Sequence, residues 1–159
     1  MAVDYSLDPT DLRLIAVLQE EGRITNQDLA RRCAVSPAAC HERVRRLRER
    51  GVILATVALI EPAALGCGLL IFVEVHLDRT SDDQFRAFAD HVRSIPQILE
   101  CHMVAGGFDY LLKARVSDMT AYRAFLGGIL AEIPGIRETR TYAVLEEVKQ
   151  TTRLPVPLS

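Results

Sequence analysis

The second half of this chain is written twice. Phe85-Arg86-Ala87-Phe88 returns 37 residues later as Tyr122-Arg123-Ala124-Phe125. Ile95-Pro96-Gln97-Ile98-Leu99-Glu100 returns after 38 as Ile133-Pro134-Gly135-Ile136-Arg137-Glu138, and Ser81-Asp82 has its counterpart in Ser117-Asp118. A fixed period of this size signals a repeated supersecondary unit. Each copy reads as strand, helix, strand, with strands at about 69–77, 98–105, 109–116 and 136–148 and helices at about 82–94 and 118–132. Each helix runs into an Ile-Pro, which does not readily continue it. The order βαββαβ is that of the ferredoxin-like split βαβ arrangement. Two right-handed crossovers then place both helices on one face of a four-stranded sheet. Along the first strand, Leu69, Ile71, Val73, Val75 and Leu77 alternate with Leu70, Phe72, Glu74 and His76. The second set is a mixed polar and apolar face suited to pairing with another copy, so a homodimer through this domain is predicted.

Upstream the periodicity is helical throughout. Asp8-Pro9 reads as an N-cap followed by proline at the first helical position, where its missing N–H costs nothing. Leu12, Ile15 and Leu18 recur at helical spacing up to Gly22. Thr25 starts a second helix with Asp28 at its third position, and Leu29, Ala30 and Cys33 mark its buried side. Ala34-Val35 is a tight connection, and Ser36-Pro37 starts a third helix that ends at Gly51. Three short helices, the last two joined by about three residues, match a helix-turn-helix.

The third helix carries the strongest chemical signal. Net charge is −2 for the 159 residues, which excludes a generic polyanion binder, yet residues 31–50 hold seven arginines against two glutamates, +5. Cys40, Val44 and Leu47 form the buried stripe at about 100° per residue. Ala38, Ala39, Glu42, Arg45, Arg46 and Glu49 lie opposite, with Arg43 and Arg50 on a flank. Small side chains at Ser36, Ala38 and Ala39 let the helix start approach a surface closely, and its free N–H groups favour phosphate. In a helix-turn-helix this end meets base edges in the major groove, and arginine is shaped for bidentate contact with guanine or phosphate. The expected DNA-binding residues are Ser36, Ala38, Ala39, Glu42, Arg43, Arg45 and Arg46.

The fold class is therefore α+β, a winged-helix-like helix-turn-helix domain joined to a ferredoxin-like βαββαβ domain. Residues 1–60 form the first, including a connecting strand over Val52–Ile60. Residues 61–68, broken by proline and glycine, form the linker, and residues 69–159 form the second. Met1–Tyr5 has no basic region followed by an apolar run, so no secretory signal is expected. Val52–Ile60 and Leu65–Val73 fall far short of the roughly 20 residues a membrane span needs. Cys33, Cys40, Cys67 and Cys101 show no CxxC spacing and read as reduced thiols of a cytoplasmic protein.

Longer strings reach further. The head carries Gly22-Arg23-Ile24-Thr25-Asn26, Ser36-Pro37 with Cys40, and Glu42-Arg43-Val44-Arg45-Arg46-Leu47. The second half carries Glu100-Cys101-His102, Gly106-Gly107-Phe108-Asp109-Tyr110-Leu111-Leu112-Lys113, Asp118-Met119 and Tyr122-Arg123, then Thr139-Arg140-Thr141-Tyr142 and Glu146-Glu147-Val148-Lys149-Gln150. From about Leu7 to Leu154 the chain closely resembles the Lrp/AsnC (feast/famine) family of transcription regulators, and within it the leucine-responsive branch. The resemblance implies a DNA-binding head and a sensor domain whose effector, usually an amino acid, binds between dimers and modulates DNA binding or assembly. It also implies dimers that assemble further, often into octamers. It puts the effector site at Val104, Ala105, Gly106, Gly107, Phe108, Asp109 and Tyr110, with Thr139 and Thr141. Such a loop suits a zwitterion: bare glycine backbone for a carboxylate and Asp109 for an ammonium. Gly106-Gly107 also fits a plain hairpin turn. Leucine-responsive members usually carry aspartate at the position of Gly107, which leaves the effector open among branched-chain amino acids, proline, lysine and methionine.

Two other classes fit less well. A metal or redox sensor would use Cys40-His41 and Cys101-His102, but adjacent residues on a helix or strand point in different directions. A regulatory subunit of an amino-acid metabolic enzyme could share the βαββαβ domain. For catalysis itself there is no nucleophile–base, carboxylate-pair or phosphate-loop motif, and His102 with Asp109 is the nearest approach to an acid–base pair. The expectation is a regulator without catalysis, cofactor, metal or membrane contact, with duplex DNA, a small amino acid and its own copies as partners.

Overall fold

The computed structural model describes residues 5–79, 81–130, 133 and 135–157. The chain divides into two compact units, one formed by residues up to Leu59 plus the tail from Lys149, the other by Ile60–Val148.

The first unit contains α1 (Pro9–Glu20), α2 (Asn26–Arg32) and α3 (Pro37–Glu49). Each begins at a side-chain cap that satisfies an otherwise orphaned N–H: Asp8 accepts from Asp11 N, Thr25 from Asp28 N and Ser36 from Ala39 N. Leu14, Leu29, Ala30, Cys33 and Cys40 form the core, and Leu47 is also fully buried. The turn between α2 and α3 passes through Ala34 at φ 54, a left-handed conformation that costs a residue with a Cβ about 1 kcal/mol. Gly51, at φ 70, takes the corresponding position after α3 without that cost.

Two expectations from the sequence are corrected by the structure. Val52–Ile60 joins no ladder among the described residues. Its apolar side chains stay exposed, Leu54 at 90% and Leu59 at 76%, because strand propensity without a partner edge yields no strand. The tail from Lys149, expected to continue the second domain, belongs to the first unit. Leu154 N donates to Gln19 Oε1 at 2.7 Å, Gln19 Nε2 donates back to Leu154 O at 3.0 Å, and Arg153 pairs with Glu20 at 2.6 Å.

The second unit has β1 (Leu69–Leu77), α4 (Asp82–Arg93), β2 (Ile98–Met103), β3 (Tyr110–Val116), α5 (Met119–Ala124) and β4 (Ile136–Ala143). Helix α5 continues as π-helical turns over Phe125–Leu130. The sheet order is β2-β3-β1-β4, with every neighbouring pair antiparallel. This is the ferredoxin-like topology that the repeat implied. Ile71, Val73, Val75 and Leu77 pack with Tyr110, Leu112, Ala114 and Val116 against Phe88 and Val92 of α4 and Tyr122 of α5. Strand β4 stops at Ala143, short of the expected 148, because it has reached the start of β1: Val144 N makes a last bond to Leu70 O.

The face away from the helices carries ion pairs. Lys113 bonds Glu100 at 2.8 Å, Glu100 holds His102 at 3.1 Å, and Tyr142 donates to Glu74. Lys113, then His102, keeps the Glu100 carboxyl below its ordinary value. Phe72 lies half-buried among these groups.

Candidate functional site

The start of α3 is bare. Ser36 Oγ is occupied by Ala39 N at 3.2 Å, and Ser36, Ala38 and Ala39 are all exposed. Behind this end, Asn26 Nδ2 donates to Pro37 O at 2.8 Å and ties the first turn of α3 to the first turn of α2. That latch crosses 11 residues and has no local sequence signal.

The arginines of α3 divide by partner. Arg43 Nη1 reaches Asp8 at 2.6 Å and Asp11 at 2.8 Å. Asp11 is 2% exposed and also takes Arg46 at 3.5 Å. This pairing binds the start of α1 to the middle of α3. Arg43 holds the Asp8 carboxyl below its ordinary range, and Asp8, then Asp11, raises the Arg43 guanidinium. Asp11 is legible in the sequence only as a first-turn residue. Arg45 turns outward between Glu42 and Glu49, which raise it, and in return it lowers Glu42. Arg46 is about half exposed. The +5 segment therefore presents less bare positive charge than its residue count suggests, since these three guanidinium groups all face carboxylates.

In the second unit, residues 104–109 close the β2–β3 hairpin. Val104 N bonds Asp109 O, Asp109 N bonds Val75 O, and Leu77 N donates to Asp109 Oδ2 at 2.8 Å. One Asp109 oxygen thus fixes the loop to the end of β1. Ala105, Gly106 and Gly107 are exposed. A Cβ at either glycine would meet nothing within 4 Å, and neither has positive φ. The fold itself does not require glycine there, and what the two residues leave is uncovered backbone. Phe108 sets its ring against His76 at 6.4 Å, edge to face. Buried Tyr110 stacks on Phe88 at 4.3 Å, and burial pushes its hydroxyl up.

Val75 pairs with Tyr110 on one side and Thr139 on the other, so those two expected effector residues flank a single strand position. Thr141 lies opposite Val73 and its hydroxyl bonds the Tyr122 hydroxyl. It is engaged within the helix-covered layer.

Other chemistry is sparse. Cys40 is fully buried in the head core while His41 is exposed, and burial raises the Cys33, Cys40 and Cys101 thiols. No group of three or more metal-ligating side chains forms among the described residues. Among the described residues no helix is long and apolar enough to cross a membrane.

Comparison with known proteins matches both units. Residues 7–53 match the winged helix-turn-helix DNA-binding model and residues 70–154 the Lrp/AsnC ligand binding domain. Leucine-responsive regulatory proteins of Klebsiella pneumoniae and Escherichia coli K12 are each 49% identical over 150 residues, covering 94% of this chain and 92% of theirs. The crystal structure of a Neisseria meningitidis transcriptional regulator in complex with L-Met superposes with a TM-score of 0.90 at 38% identity, covering 96% of this chain and 98% of that one. An AsnC family regulator from Agrobacterium tumefaciens gives 0.89 at 32% identity, covering 94% and 97%.

Proposed function

The chain belongs to the Lrp/AsnC family of transcription regulators, and from that premise we propose that two α3 helices of a homodimer read duplex DNA under control of an amino acid bound at the 104–110 loop. One observation carries the DNA half: the capped, small-residue start of α3 is exposed, and Arg45 and Arg46 further along the helix are exposed too. In this reading Ser36, Ala38 and Ala39 allow close approach, and Glu42, Arg43, Arg45 and Arg46 line the contact or hold it in place. Two heads per dimer call for half-sites about one or more helical turns apart. The protein acts in the cytoplasm, its dimers assemble further to an octamer, and the reading calls for no catalysis.

Arg46→Ala is the direct test. Its affinity for duplex DNA is expected to fall about tenfold, and the slope of log affinity against log salt to shrink by about 1 for each phosphate no longer neutralised. Titration by fluorescence anisotropy over a range of salt concentrations measures both. An unchanged affinity, or wild-type binding insensitive to salt, overturns the assignment.

The effector half is supported by the bare Gly106-Gly107 backbone beside Asp109. Asp109 Oδ2 accepts from Leu77 N, so the informative change is Asp109→Asn, which retains an acceptor for that N–H and removes the charge. A thermal-shift screen of the twenty amino acids identifies the effector, because a ligand of the native state raises its stability. Leucine and methionine come first, since relatives are named for leucine or crystallised with L-Met. Asp109→Asn is expected to lose that shift while binding DNA normally. A variant with normal effector affinity removes Asp109 from the site.

A further inference from the structure

Arg45 is gripped from both sides by its own helix. Its Nε and Nη2 donate to the two oxygens of Glu42 at 3.0 and 2.5 Å, and its Nη1 donates to Glu49 at 2.5 Å. Glu42 lies three residues before it and Glu49 four after, so both stand on the same strip of helix. A guanidinium has five N–H donors. Three bonds leave one N–H on each terminal nitrogen. With Glu49 on the Nη1 hydrogen nearer Cδ, the two left over form the end-on fork whose spacing matches guanine O6 and N7 in the major groove. The three side chains are exposed by 50, 59 and 57%, so the fork is within reach of a ligand.

Charge separates two classes of contact. One guanidinium and two carboxylates sum to −1. A phosphate approaching this trio meets net repulsion, whereas a neutral guanine edge offers two acceptors and no charge. The ion pairs contribute little to stability, as exposed pairs at this spacing do. Stability alone therefore gives weak reason to place two carboxylates on the face that meets a polyanion.

Resting on the DNA-binding reading of α3, we infer that Glu42 and Glu49 are positioning residues that hold Arg45 end-on to a guanine and keep it off the phosphates. Arg45 is then the specificity-determining side chain, and Arg46 supplies attraction to the backbone.

The test uses the full chain and a duplex that the protein itself selects from a random library. Each guanine is replaced in turn by 7-deazaguanine, which lacks only the N7 acceptor. For the unaltered protein, one guanine per half-site is expected to lose about tenfold in affinity. Arg45→Ala and Arg45→Lys should abolish that position's penalty and leave the others. The double variant Glu42→Gln/Glu49→Gln should shrink the penalty several-fold and raise affinity for an unrelated duplex. Glu21→Gln, which removes one negative charge beside Arg32 on a different part of the head, should leave the guanine profile unchanged. A profile unaltered by Arg45→Ala, or a full penalty in the double glutamine variant, overturns the inference. Loss of all duplex binding by the unaltered protein strikes instead at the DNA-binding reading. Salt-dependent binding with a flat guanine profile strikes only at this one.

Discussion

Arg43→Ala is expected to destabilise the DNA-binding head by about 3 kcal/mol, near the low end of what removing one partner of a buried ion pair costs. Asp11 is 2% exposed, and Arg43 at 2.8 Å is its closest cation, with Arg46 at 3.5 Å. Without Arg43 a buried carboxylate retains a single, longer partner. Arg43 is 28% exposed, so solvent screens part of its charge and the upper end of the range is not reached. In a head of this size each kcal/mol shifts the melting midpoint by about 4–8 °C, so helical circular dichroism should record a drop of more than about 10 °C. Arg46→Ala removes the longer pair and should shift that midpoint far less while weakening DNA binding more. The two arginines thus separate stability from recognition. A stable Arg43→Ala protein that has simply lost DNA affinity would make Arg43 a DNA contact and refute its structural role.

Phe88→Ala should cost the sensor unit about 3–5 kcal/mol, the range for emptying a buried aromatic site. Phe88 is fully buried and stacks on Tyr110 at 4.3 Å with 27° between the rings. Aromatic stacking of this kind adds about 0.5–1.5 kcal/mol beyond area burial, and Tyr110 is also where the 104–109 loop enters β3. The cavity therefore weakens the sheet and unseats the loop together, and amino-acid binding should be lost at temperatures where the head remains folded. The head's core shares no residue with the Phe88 cluster, so its own transition should persist. Phe88→Leu restores most of the volume and should recover most of the stability. A Phe88→Ala protein that still shows a normal effector-induced thermal shift would break the link between this core position and the loop.

Much of the architecture is legible in the sequence because it is local. Asp8, Thr25 and Ser36 cap helices by bonding N–H groups three residues on, and such bonds depend on little beyond the neighbouring sequence. The repeat at 81–100 and 117–138 determines the topology, since two copies of strand-helix-strand with right-handed crossovers leave few alternatives. The exposed start of α3 and the uncovered Gly106-Gly107 turn are legible for the same reason: each is a property of a short run.

Partnership across sequence distance was decided only by the tertiary structure. From its helix alone Arg43 is a flank residue, yet its carboxylate partners lie 35 and 32 residues away, on the cap of α1 and in α1 itself. Val52–Ile60 has the composition of a strand, but a strand exists only where another edge supplies its hydrogen bonds. Adjacency assigns the tail to the sensor, yet the side chains of Gln19 and Glu20 take it up 133 to 135 residues away. The Thr141 hydroxyl bonds that of Tyr122, 19 residues away, a partner its own string of neighbours does not indicate. The chain's own sequence determined which segments are helices and strands and how they connect. Which charged and polar groups satisfy one another was settled by packing, because a side chain bonds whatever the fold brings within about 3 Å.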